Sequence, residues 1–137
     1  MTTLPAITPV ADATLALLQA IPNLNVFDTE LPSDPPKDED GRVHPYAVFF
    51  PGGGHAFGDR LNKDTATDLE WTCRILIVGG DKTRALWALD RIRAALTSAR
   101  PTGGARLKEA LDDVIFRTET NVVPSRTSGL IIYRLHI

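Results

Sequence analysis

The residues with chemistry to offer are His44, His55 and His136, the lone Cys73, a few serines and the run Phe50-Pro51-Gly52-Gly53-Gly54-His55. Histidines at helical i, i+4 spacing could ligate a metal, but these three fall in separate segments and are read as surface or loop residues. The glycine run follows an apolar stretch as a phosphate loop would, yet it lacks the Gly-Lys-Ser/Thr ending and no helix start follows it. It is read as a loop. Ser33, Ser98, Ser125 and Ser128 include no Gly-x-Ser-x-Gly elbow, so no hydroxyl nucleophile is indicated. Asp38, Glu39 and Asp40 lack the alternating spacing of a calcium loop and form a solvated acidic stretch. Cys73 lies between Trp71 and Ile75 on the apolar side of a strand pattern, where desolvation disfavours its thiolate. The expectation is no catalytic residue, no metal and no cofactor.

The elements that position these residues follow from periodicity. Thr8 as N-cap and Pro9 open a helix carrying Val10, Ala13, Thr14, Leu17, Leu18 and Ile21 at helical spacing and ending at Pro22. Leu24 to Phe27 is a short extended run, and Asp28 to Pro45, rich in proline and acid, is a long exposed connection. Tyr46 to Phe50 is a strand closed by the glycine run, with a second loop to about Thr67. Leu69, Trp71, Cys73, Ile75 and Ile77 alternate with polar residues, giving a strand with one face on the core. After Gly79 and Gly80, Asp81 suits a helix N-terminus, and Ala85, Ala88, Leu89, Ile92, Ala95, Leu96 and Ala99 form one helical stripe.

Beyond Pro101, Arg106 to Leu111 is compatible with a short helix, and Val114 to Val123 and Leu130 to Ile137 read as two strands joined through Pro124 to Gly129. The fold class is therefore α+β, with a mixed, mostly antiparallel sheet of about four to five strands, two main helices on one face and long exposed loops. A 137-residue chain supports a single domain with one core.

Composition narrows the partners. A net charge of −2 supplies no global positive field for nucleic acid, and no stretch is apolar over the length of a membrane span. With one cysteine and no signal-peptide pattern, a reducing cytosol is the expected compartment.

Charge is nonetheless segregated. Asp28, Glu30, Asp34, Asp38, Glu39 and Asp40 stand against only Lys37, whereas Lys82, Arg84, Arg91, Arg93, Arg100 and Arg106 stand against only Asp90. Such runs are solvated faces or, when they lie on opposite flanks, complementary patches for a head-to-tail contact. Trp87 projects about 140° from the apolar stripe at 100° per residue, between Arg84 and Arg91. Either one of the chain's own loops covers this indole, or it belongs to a partner surface of the Trp-Arg type enriched in interface hot spots. Trp87, Arg84, Arg91, Arg93, Asp34, Asp38, Glu39 and Asp40 are thus the candidate interface residues.

In order, the helix Pro9 to Ile21, the Val26-Phe27 strand with its acidic loop, Pro45-Tyr46-Ala47-Val48, the Trp71 strand entering Val78-Gly79-Gly80, and the helix opened by Lys82-Thr83-Arg84-Ala85 and continued by Asp90-Arg91-Ile92-Arg93-Ala94-Ala95-Leu96 resemble the tail terminator proteins of long, non-contractile-tailed bacteriophages. The resemblance spans most of the chain and fades from Thr102 onward. It implies an α+β subunit of a virion, assembled as a homo-oligomeric, hexameric ring on the tail tube protein. Such a ring halts tube elongation and presents the joining surface to head-tail connector and neck proteins. DNA passes through it without sequence-specific binding, and no bond-making chemistry is involved. Two other readings stand beside this one: another connector or minor tail protein, and a small-molecule or enzymatic domain built on His44, His55 and the glycines between them.

Overall fold

The computed structural model describes residues 6–58, 66–110 and 113–137; at 57, 58, 66 and 67 only the backbone is described. The order is α1 (Thr8–Gln19), β1 (Asn25–Asp28), β2 (Tyr46–Pro51), β3 (His55–Gly58), β4 (Ala66–Gly79), α2 (Lys82–Leu96), β5 (Lys108–Glu109), β6 (Arg117–Glu119) and β7 (Arg126–His136). The class is α+β, with seven strands rather than the expected four or five. One path through the sheet runs β1-β2-β4-β7-β5, with β3 beside β4 and β6 beside β7. Among the described residues only β1 and β2 run parallel; the other pairs are antiparallel.

The long strand β4 organises the sheet because its side chains alternate so regularly. Trp71, Cys73, Ile75 and Ile77 are fully buried on one face, where they meet Ala47 and Phe49 of β2 and Ile131, Tyr133 and Leu135 of β7. Both helices cover this face: α1 contributes Val10 and Leu18, and α2 contributes Ala88, Leu89, Ile92 and Leu96. Asp81 caps α2 as expected, its carboxylate accepting from the Arg84 amide at 2.9 Å. At α1 the cap differs from expectation. Ile7 is the N-cap, without a side-chain hydrogen bond, Thr8 is the first helical residue, and the helix closes at Gln19, before Pro22.

Four further expectations change. The glycine run is a break within a strand: from Pro51 to His55 the chain advances four residues while β4 advances three, Cys73 to Glu70, so one extra residue is accommodated as a bulge. Gly52 suits it because a Cβ there would lie 2.5 Å from the Thr72 carbonyl oxygen, and the buried Trp71 Nε1 donates to Gly52 O at 2.9 Å. His55 consequently belongs to β3 rather than to a loop; residues 59–65 of the expected loop lie outside the described residues.

Lys108–Glu109 is a strand, not part of a helix over Arg106 to Leu111, because the buried Leu107 ties its amide to Ala99 O and the Ala110 amide bonds Ile132 O; residue 111 lies outside the described residues. The strand expected over Val114 to Val123 contracts to Arg117–Glu119. Val123 is 97% exposed and β7 already begins at Arg126, so the hairpin connection is 120–125.

The segment from Asp28 to Pro45 is not wholly exposed. Lys37 and Val43 pair across a tight turn, in which Gly41 takes φ 76°, and Val43 is fully buried against Tyr46, Val48 and Val78 on the second face of the sheet. The Gly80 amide donates to Val43 O at 2.8 Å, and a Cβ on Gly80 would stand 2.9 Å from Val43 backbone atoms. The proline-rich segment is thus seated on the β4-α2 junction.

Candidate functional site

The turn at 38–42 is closed by the Asp38 amide donating to Arg42 O at 2.8 Å and the Gly41 amide to Asp38 O at 3.1 Å, and it is braced by one carboxylate. Asp38 Oδ1 accepts the amides of Asp40 at 3.0 Å and Arg42 at 3.1 Å, which fixes the turn, while Asp38 Oδ2 faces Arg84 of α2. Arg84 Nε donates to that oxygen at 2.8 Å and Nη2 lies 2.7 Å from it. Arg84 also pairs with the cap residue Asp81, Arg42 reaches Asp81 Oδ2 at 3.0 Å, and Asp40 stands 3.5 Å from Arg84. Partial desolvation pushes the Asp38 carboxyl up, but the Arg42 amide, Arg84 and the Asp40 amide outweigh it and hold it below the ordinary carboxylate value. For Asp81 the Arg84 amide is the leading cause of a shift in the same direction.

These contacts lie within one chain, so part of the acidic segment and the start of α2 share a flank; the opposite-flank arrangement does not hold for Asp38, Asp40 and Arg84. Arg93 is also engaged internally, holding Glu109 through two bonds of 2.7 and 3.2 Å that tie α2 to β5. Asp34 and Glu39 have no ion-pair partner among the described residues and face solvent.

Trp87 is half-buried at the rim of the helical layer. Its own chain supplies His44 and Pro45 on one side, and together with Asn23, Thr83 and Arg84 these residues line an apolar depression of about 300 Å³. The guanidinium of Arg91 lies 5.5 Å from the indole centroid, within cation-π reach. Both ideas for Trp87 therefore have some footing: a loop of the chain flanks it, and the depression beside it stays open.

The residues weighed for catalysis do not gather. His44 bonds Asn23 O at 2.9 Å next to Trp87, whereas His55 pairs with Glu70 eight residues farther along β4 than the Tyr46-Val78 pair, or about 26 Å at the strand rise. A pocket uniting His44, His55 and the glycines is excluded by that register. His55 and His136 instead flank Glu70 in one cross-strand row. Among the described residues no group of three His, Cys, Asp or Glu side chains is placed to hold a metal ion. Cys73 is buried, and desolvation pushes its thiol up to about 12. Among the described residues no helix is long and apolar enough to cross a membrane.

No family model and no curated protein matches this sequence.

One constellation escaped sequence reasoning. On the face opposite the helices, Lys108 of β5 stands directly across from Arg134 of β7, and both line a depression with Arg106, Glu70 and His136. Like charges directly opposite each other repel. Arg106, Lys108 and Arg134 have no carboxylate within ion-pair distance among the described residues. In sequence Arg134 alternates with the apolar Tyr133 and Leu135, which marks it as outward-facing, but Lys108 lies in a stretch with helix-compatible spacing. Only strand pairing between β5 and β7 sets the two cations side by side.

Proposed function

We propose that this protein is a structural subunit of a phage virion, a tail terminator that forms a homo-oligomeric ring, six copies by resemblance. It caps the tail tube, stops elongation and offers the surface joined by neck proteins. The ring subunit works by surface complementarity, without a catalytic centre or cofactor, in the assembling host cytoplasm and then at the tail end of the virion.

The observation that carries this reading is the half of the sheet's second face that no other described residues cover. The proline-rich segment protects Tyr46, Val48 and Val78, but beyond its reach Leu130 is 40% exposed opposite the half-buried Leu76, with half-buried Ile132 beside it. Contiguous apolar surface of this kind is characteristic of faces that meet another protein. Leu31, Ile115 and Val123 add exposed apolar side chains on connecting segments that can reach neighbours. The Trp87-Arg91 pair gives a further anchor of the type enriched at interface centres.

The test is to mix the purified protein with polymerising tail-tube subunits and follow tube length. Tubes capped at one end and no longer growing support the reading; unchanged elongation with no capped ends refutes it.

A further inference from the structure

Charges of opposite sign with no ion-pair partner among the described residues stand at the two outer edges of the sheet. At one edge, the exposed Asp28 closes β1 and is followed by exposed Glu30 and Asp34. At the other, Lys108 and Arg134 stand side by side with Arg106 next to them. Four inter-strand steps separate β1 from β5, about 19 Å, which is too far for these groups to neutralise one another within a chain. Yet the register sets them at similar heights. Asp28 aligns through Phe49 and Ile75 with Ile131, three residues from Arg134 along β7. Other acids and bases are already paired internally: Asp38 with Arg84, and Glu109, which follows Lys108 on β5, with Arg93 across the helix-covered face. What remains unspent is one acidic edge and one basic edge on opposite sides of the same sheet.

We infer that the basic depression at Arg106, Lys108 and Arg134 receives the acidic β1 edge of a second copy of this chain. The contact is head-to-tail, and it relieves the Lys108-Arg134 repulsion that the isolated subunit retains. Because the two patches differ, it repeats from copy to copy and closes a ring when its rotation permits. The inference rests on the ring-subunit reading and assigns the surfaces by which neighbours meet. A second copy is favoured over a nucleic acid because the chain supplies a matching acidic edge, while the depression is lined by no Phe, Tyr or Trp on which bases could stack.

Two double variants test it by native mass measurement over a concentration series at low salt. Lys108→Glu with Arg134→Glu makes both edges acidic, and Asp28→Lys with Glu30→Lys makes both edges basic. Each alone should weaken assembly by roughly tenfold or more, because like charges then face each other at every contact. An equal mixture should assemble again, since alternating copies present opposite signs at every junction, and that recovery also demonstrates that both variants are folded. Double variants that assemble as the unmodified protein does, or a mixture that stays dissociated, overturn the edge contact while leaving the ring reading intact. An unmodified protein that is monomeric at every concentration overturns both. A duplex DNA fragment serves as the control: DNA binding lost in Lys108→Glu with Arg134→Glu while assembly is unaffected makes the depression a nucleic-acid site and overturns the inference.

Discussion

Arg84 and Asp38 are 46 residues apart in sequence, and in the folded chain two guanidinium nitrogens of the first converge on a single carboxylate oxygen of the second. The other oxygen of Asp38 holds the amides of Asp40 and Arg42. One side chain therefore braces the acidic turn and fastens it to α2. Asp38→Ala should free the 38–42 turn, seen as faster amide hydrogen exchange at Asp40 and Arg42, while exchange within β4 and β7 stays slow. Arg84→Ala should release the segment from α2 yet leave the turn's internal bonds in place, so its effect on those two amides should be the smaller.

Acid should act on the same junction. The Asp38 and Asp81 carboxyls are both held below their ordinary values, so the folded state binds their protons less tightly than the unfolded state does. Their contribution is complete above the ordinary carboxylate value and is lost as pH falls from about 4 through the depressed native values. Thermal melting across that range should show stability declining toward low pH, and Asp38→Asn should flatten the decline. An unchanged slope in that variant would assign the acid sensitivity to other carboxylates.

Trp71 couples the core to the strand break. Trp71→Ala should cost about 3–5 kcal/mol in denaturant unfolding, as for other large aromatic truncations. Trp71→Phe keeps most of the volume but leaves the Gly52 carbonyl without its donor, a loss of about 1–3 kcal/mol when that acceptor is unsatisfied. If Trp71→Phe matched the unmodified protein, the indole hydrogen bond would contribute nothing net.

Trp87 should behave differently. Half-buried and stacked by Arg91, it belongs to the surface proposed to meet a partner. Trp87→Ala should weaken self-association or tail-partner binding by about tenfold or more while the monomer's melting temperature falls little. A collapse of monomer stability would assign the indole to the core.

How much of this was legible beforehand depended on whether a signal was local. The face assignment of β4, the stripe of α2 and the Asp81 cap are written in spacing alone, because alternation at period 2 or 3.6 records which side is buried. The α1 boundary was less clear, since Thr8 and Pro9 suit the first helical turn as well as a cap. β3, β5 and the Lys37-Val43 pairing were not legible. Each is short and held by distant partners: β3 by β4 across a bulge, β5 by β7, and the acidic turn by Arg84 and the close approach at Gly80. For the same reason Arg84, Arg93, Asp38 and Asp40 could be nominated from sequence as charged candidates, but their partners could not. Segregated charge identifies groups available for pairing; only topology decides which of them stay available.

The single extra residue between Pro51 and His55 fixes the phase in which His55 and Ala56 pair with β4, before the register shifts again between Phe57 and Gly58. Removing one glycine from the run, or adding one, would turn the side chains of His55 and Ala56 over to the opposite side of the sheet. The constraint on this stretch is therefore numerical before it is chemical: Gly53, with open space around it, can accept another residue type far more readily than the run can change its length.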